Sequence, residues 1–342
     1  MHSHRIAVIP GDGIGVEVCG ATRAVLDAVG RRHAIGLTYD EFDWSCARYS
    51  AEGAMMPANG LDLIRHHDAI FLGAVGGPGV ADHVSLWGLL IPIRRGFQQF
   101  VNLRPIRALD GRQAIDLVVV RENVEGEYSE IGGRLYQGTP AEMAVQESVF
   151  TRVGVTRVAD YALDLAERRG GRLTSATKSN GIIHTMPFWD EIVAERVAER
   201  PAVTLRSEHI DALCAKLVLD PAQFDVIVAS NLFGDILSDL AAAVAGSIGL
   251  APAANIDPTR AYPSMFEPVH GSAPDIAGRG IANPVGAIWT ATMMLDHLGH
   301  PEASANLMAA IESVFTKTDV RTPDIGGTAG TEDMTRAIIE AL

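Results

Sequence analysis

Short apolar runs alternate with longer segments of helical period along this chain, and that rhythm constrains its fold more than any other feature. RIAVIP (5–10) precedes a helical pattern over 16–29, and DAIFLGAV (68–75) precedes one over 86–100. DLVVVREN (116–123) and DVIVASN (225–231) precede patterns over 152–168 and 237–244. Strands spaced in this way by helices predict an α/β fold with a substantially parallel sheet. Residues 225–230 hold four apolar residues in a row, as expected of a strand covered on both faces, where alternation is lost. At 342 residues the chain exceeds the usual single-core limit, so two packed lobes, or one α/β unit with an insertion, are expected. No internal repeat or low-complexity linker interrupts it, so any division must arise from the chain crossing between lobes. The segment Gly132 to Gln146 has turn residues and strand formers but weak helical character, and reads as a hairpin that could clasp a partner subunit.

Composition removes several function classes. A formal charge of -14 opposes nucleic-acid binding, which needs clustered Lys and Arg, so an anionic substrate requires a local basic pocket. Cys19, Cys46 and Cys214 are odd in number and lack CxxC spacing, so neither a disulfide framework nor a zinc cage is expected. The start, MHSHRIAVIPGDG, enters an apolar run almost at once, and the longest uncharged stretch, 240–256, is broken by Gly246, Gly249 and Pro252. A cytoplasmic protein without a membrane span is therefore expected.

GDGIG at Gly11 to Gly15 follows a strand and precedes a helix, as a dinucleotide fingerprint should, but Val16 and Glu17 stand where the next glycine belongs. The structural reading of these glycines is therefore preferred. The chemistry lies elsewhere. In SNLFGDILSDLAAAVAG, Asp235 and Asp239 stand four apart, on one helical face one turn apart. An exposed acidic face is the bland reading. Against it, Leu232, Phe233, Ile236, Leu237 and Leu240 are apolar, and a carboxylate pair near a core suits a hard cation with oxygen ligands, magnesium or manganese. Asp211, opening the helical pattern HIDALCAKLV, is a third candidate ligand and equally a helix-start charge.

Arg94, Arg104 and Arg121 stand near strand or helix ends, where guanidinium forks could hold a dicarboxylate. Arg121 ends a buried-looking strand, and α/β sheets bind ligands at such carboxyl ends. Lys178 in SATKSNG and Tyr128 in ENVEGEYSE are candidate proton carriers, since a nearby cation makes a lysine a usable base.

Six motifs in order, PGDGIG, NLRPIR, VVVRENVEGEY, SATKSNG, SNLFGDILSD and FEPVHGSAPDIAGRGIANP, resemble the β-decarboxylating dehydrogenases, which include the isocitrate, isopropylmalate, homoisocitrate, tartrate and D-malate enzymes. The resemblance covers nearly the whole chain. It implies an isocitrate/isopropylmalate dehydrogenase-like two-lobe α/β/α fold, not a Rossmann fold. Residues 1–98 plus 246–342 would form the cofactor-binding lobe, and 99–245 a central lobe with the metal site and dimer interface. It implies a homodimer with a shared active site, in which Arg94, Arg104 and Arg121 hold substrate carboxylates. Asp211, Asp235 and Asp239 would hold Mg2+ or Mn2+, with Lys178 and Asp211 arriving from the partner, and K+ is a further candidate. Lys178 would take the hydroxyl proton, and Tyr128 would protonate the enol carbon.

In GSAPDIAG the resemblance places Asp275 where NADP-using isocitrate enzymes carry a lysine; a carboxylate accepts from a ribose diol and repels a 2′-phosphate, which favours NAD. Glu267, His270, Gly271, Ser272, Ala273 and Asn283 would complete the cofactor loop, with Asp324 in TPDIGG. Substrate choice would lie in DHVSLWGLLIPIRR, through Trp87 and Leu90. Trp87 replaces the acidic residue usual in isopropylmalate enzymes, and the segment is most similar to the tartrate and D-malate branch. Pro92 should kink or restart this helix before Arg94. The implied substrate is a malate-like 2-hydroxy dicarboxylate, with a 3-alkylmalate such as isopropylmalate as the alternative. Two other classes remain: a cofactor-free metal-dependent hydrolase or lyase using the Asp235 and Asp239 pair with Glu122, Glu125 or Glu127, and a non-catalytic regulatory subunit.

Overall fold

The structure is a computed structural model that describes residues 3–111 and 114–342. Its strands are β1 (Ser3–Gly11), β2 (Gly36–Glu41), β3 (Ala69–Ala74), β4 (Val101–Arg107), β5 (Asp116–Glu122), β6 (Gly132–Leu135), β7 (Met143–Gln146), β8 (Arg172–Thr177), β9 (Thr204–His209), β10 (Val226–Ala229), β11 (Pro252–Ile256) and β12 (Ser264–Pro268). Its α-helices are α1 (Ile14–His33), α2 (Cys46–Glu52), α3 (Gly60–Ile64), α4 (Asp82–Ser85), α5 (Ile91–Gly96), α6 (Arg152–Arg168), α7 (Thr185–Ala198), α8 (Ile210–Leu219), α9 (Asn231–Ala245), α10 (Val285–His297), α11 (Pro301–Lys317) and α12 (Thr331–Ala341). No described helix is long and apolar enough to cross a membrane.

The chain divides into two compact units. The first comprises Met1–Gln99, Pro105–Ala114 and Ala242–Leu342. Its strand order is β2-β1-β3-β12-β11, parallel except for the β11–β12 pair. Every residue of β3 is buried, as its unbroken apolar run requires. A core of Ile9, Trp44, Met55, Leu72, Leu89 and Phe97 fills this unit, while α1, α10, α11 and α12 pack on one another. Residues 105–114, expected in the central lobe, cluster here; Arg107 reaches Glu312 of α11 in an ion pair.

The second unit comprises Phe100–Arg104 and Ile115–Ala241. Its order is β5-β10-β8-β9, all parallel. Burial of Val155, Val158, Ala162 and Leu163 on α6 seats that helix against β5, β8 and β10. β6 and β7 form a separate antiparallel hairpin whose residues are all exposed, Leu135, Met143 and Val145 among them.

Pro92 stands in the first turn of α5, so the α-helix restarts before Arg94. Residues Leu86–Leu90 form one π-helical turn between α4 and α5, closed by the Ile91 N–H on the Leu86 carbonyl. Proline cannot donate to a carbonyl one turn back, and the wider turn absorbs that loss without leaving helical dihedrals.

Candidate active site

Most of the candidate catalytic and metal residues gather in the second unit. Arg121, next to last on β5, is 3% exposed, and its Nη1 donates to Asp235 Oδ1 at 2.6 Å. Its Nε and Nη2 both donate to Asn231 Oδ1, at 3.2 and 2.8 Å. Gly234 makes this approach possible, because a Cβ there would lie 2.7 Å from Arg121 Cβ. Arg104 on β4, 7% exposed, donates to Asn102 Oδ1 at 2.6 Å and Ser238 Oγ at 2.7 Å, and its Nη1 lies 3.1 Å from Asp235 and 3.5 Å from Asp239. The Tyr128 hydroxyl donates to the other Asp235 oxygen at 2.9 Å.

Arg104, Arg121, Tyr128, Asp235 and Asp239 are thus brought together, as are Asn102, Asn231 and Ser238, which the sequence reading missed. An Asn at a strand-to-helix junction was the available signal for Asn231. Unlike the arginines, the carboxylates are open, Asp235 at 34% and Asp239 at 52%. Partial desolvation on the helix face raises the Asp239 carboxyl from its ordinary value; the Arg104 charge opposes this and the Asp235 charge adds to it.

Two carboxylates one helical turn apart are an oxygen-only donor set that fits Mg2+ or Mn2+. Among the described residues no group of three His, Cys, Asp or Glu could hold a metal. Asp211 sits instead beside Lys178, whose Nζ donates to Asp211 Oδ1 at 2.7 Å. That bond holds Asp211 below the usual carboxylate range.

The three glutamates of ENVEGEY are engaged in shaping the chain. Glu122 is fully buried and accepts from the backbone N–H of Val124 and Glu125. Glu125 takes the Thr151 N–H and hydroxyl at the start of α6, and Glu127 takes the Ser230 hydroxyl and Leu232 N–H at the start of α9. The hydrolase reading therefore keeps the Asp pair but loses the free glutamate it needed. Burial pushes the Glu122 carboxyl up to about 7, against the two backbone bonds that lower it. Because the folded value lies above the ordinary 4.5, the stability referable to this group is fully present below about pH 4.5 and is lost as pH rises through about 7. Wild type should therefore lose about 3 kcal/mol across that window relative to Glu122→Gln, which does not titrate. Chemical denaturation of both proteins at several pH values checks this, and a pH-independent difference would refute it.

The first unit holds the remaining candidates. Arg94 Nη2 donates to Glu267 Oε1 at 2.7 Å, and Asn255 Nδ2 donates to the same oxygen at 2.7 Å. Glu267 thus lies buried in β12 against Arg94, not free in the cofactor loop. Asp324 accepts from Ser247 Oγ at 2.7 Å and Asn283 Nδ2 at 3.0 Å. His270 is held below its ordinary value by burial, and its Nε2 is buried without a partner. Asp275 is exposed, and Gly271, Ser272 and Ala273 precede it in the same loop. An unpartnered imidazole nitrogen and, five residues on, an open carboxylate fit a nucleotide cofactor.

GDGIG supports that loop. The Ile14 N–H donates to the Ser272 carbonyl at 2.9 Å, and a Cβ on Gly13 would lie 2.1 Å from that oxygen. Asp12 accepts from the N–H groups of Cys46 and Gly76. These glycines bind neighbouring backbone, as their broken spacing suggested. Trp87 lies under the Arg95 guanidinium, 5.3 Å from its carbon to the ring centroid, and Leu90 packs on the first unit's core.

Known proteins resemble this chain over its length. Residues 5–339 match the isocitrate/isopropylmalate dehydrogenase family model. A probable tartrate dehydrogenase/decarboxylase of Bacillus subtilis (strain 168) is 50% identical, covering 100% of this chain and 99% of that protein. The D-malate dehydrogenase [decarboxylating] of Escherichia coli (strain K12) is also 50% identical, with the same coverage. Isocitrate dehydrogenase from Methylococcus capsulatus superposes with a TM-score of 0.90 at 35% identity, over 99% of each chain. On these matches, which run nearly end to end, the chain belongs to the isocitrate/isopropylmalate dehydrogenase family.

Proposed function

We propose that this protein oxidises and decarboxylates D-malate or a tartrate, reducing NAD with the help of Mg2+ or Mn2+. The observation that carries the reading is the cluster of buried Arg104 and Arg121 against open Asp235, with the Tyr128 hydroxyl on the same carboxylate. When bound, NAD takes the hydride and the divalent cation draws electron density from the substrate oxygens. Arg104 and Arg121 orient the substrate carboxylates through guanidinium forks, while Arg94 is engaged by Glu267 in the first unit. Lys178 accepts the hydroxyl proton as the alcohol becomes a ketone. The carbon–carboxylate bond then breaks, and carbon dioxide leaves its electron pair on the β-carbon. Tyr128 returns one proton there, so proton uptake and release balance.

Asp211 and Lys178 pair with each other within one chain, and Asp211 does not join Asp235 and Asp239 there. This supports a homodimer in which the partner supplies both. Asp275, His270, Asn283 and Asp324 are the proposed NAD residues, the carboxylate of Asp275 excluding a 2′-phosphate. Leu90 is committed to core packing, which disfavours the 3-alkylmalate alternative.

The test is NADH formation at fixed Mn2+ with D-malate, L-tartrate, meso-tartrate, isopropylmalate and isocitrate in parallel. Turnover with D-malate or a tartrate that chelation abolishes is expected; turnover with isopropylmalate alone would transfer the protein to the other branch.

A further inference from the structure

The loop before Tyr128 does more than deliver the tyrosine. Glu127 Oε1 accepts from Ser230 Oγ at 2.7 Å, and Oε2 accepts from the Leu232 N–H at 3.0 Å. Ser230 and Leu232 flank Asn231, the first residue of α9, and Ser230 and Asn231 are buried. An unpaired N–H of the first helical turn thus meets a carboxylate from a segment over 100 residues earlier, where helix-end charge also favours an anion. Asn231 Nδ2 adds a second tie, donating to the Glu125 carbonyl at 3.0 Å. Gly126, at φ 88°, lets the loop pass close, since a Cβ there would lie 3.1 Å from Asn231 Cβ.

One helical turn beyond that capped end lies Asp235, bonded to the hydroxyl of Tyr128, the residue after Glu127. We infer that Glu127 is a positioning residue, whose cap on the first turn of α9 locks the Tyr128 hydroxyl and the metal-binding carboxylates into one geometry. The inference rests on the metal role of Asp235 and Asp239. It assigns Glu127 no contact with substrate, and it ties proton return and cation binding to one carboxylate that touches neither. Glu125, two residues earlier, makes a like pair of contacts to Thr151 just before α6, which carries no proposed site residue, and is a built-in control.

The experiment measures Mn2+ binding to the full-length protein, by calorimetry and by the spin resonance of free Mn2+, alongside kcat, KM and melting temperature. Glu127→Ala should weaken Mn2+ binding about tenfold or more and lower kcat more than it raises KM, the scale seen when a partner of a metal ligand is removed. Glu127→Gln can still accept from Leu232 and donate to Ser230, and should recover most of both. Glu125→Ala should keep Mn2+ affinity within about twofold of wild type. Mn2+ affinity unchanged in Glu127→Ala, or a loss in Glu125→Ala equal to it, overturns the inference. Ser230→Ala removes one of the same two contacts, and serves if Glu127→Ala does not fold. Failure of wild type to bind Mn2+ would refute the metal reading itself, and is read separately.

Discussion

Asp235→Asn is expected to lower NAD reduction by about 10³-fold or more and to weaken Mn2+ binding to match. The substitution removes a charged oxygen donor and withdraws the anion that Arg121 meets at 2.6 Å and Arg104 at 3.1 Å. Both guanidiniums are almost fully buried, and breaking such a pair costs about 3–5 kcal/mol when nothing replaces the lost charge. The asparagine amide still offers one oxygen, so the stability loss should fall below that range, while the loss of activity should not. Asp239→Asn makes the comparison informative: Asp239 has one long contact to Arg104, so its loss should cost metal affinity with little stability. Equal melting temperatures for wild type and Asp235→Asn, together with retained Mn2+ affinity, would show that the carboxylate serves neither purpose.

Lys178→Ala should reduce kcat by about 10²- to 10⁴-fold while leaving KM for the hydroxy acid within a few-fold, the pattern of a group that acts in the transition state. Its partner Asp211 would lose the bond that holds its carboxyl low, so Mn2+ binding should be checked separately. Tyr128→Phe offers a contrast. It spares the proton taken from the hydroxyl and removes the one returned to carbon, so a single turnover should still form NADH at close to the wild-type rate while steady turnover falls. If neither variant formed NADH in a first turnover, Tyr128 would be needed before the carbon–carbon bond breaks, and the assigned roles would be wrong.

Much of this was legible in the chain. The apolar runs at 68–75 and 225–231 became β3 and β10, both buried throughout, because a parallel strand covered on both faces leaves an unbroken signature. The four-residue spacing of Asp235 and Asp239 needed only helical geometry. Other features depended on residues far apart in sequence, where periodicity carries no information. Arg94 and Glu267 are 173 positions apart, and nothing local to either reveals that they neutralise each other in the first unit. The glutamates of ENVEGEY look alike as residues; that one is buried alone and two cap separate helices follows from where α6 and α9 begin. Pro92 was read correctly as an obstacle, but the remedy, one turn wound wider, is a backbone adjustment that no side-chain pattern announces.

The division of the chain into a unit made from both ends and one made from the middle sets a timetable for synthesis. The elements from β5 to β10 and their helices are all present once residue 241 is made, and they can pair while the rest is still emerging. The other unit cannot: α1, the first helix made, packs on α12, the last, and β3 waits nearly two hundred residues for β12. The nascent N-terminal segment must therefore keep an apolar helix face uncovered until α12 is made, and loss of Thr331–Ala341 would leave that face bare in the folded protein.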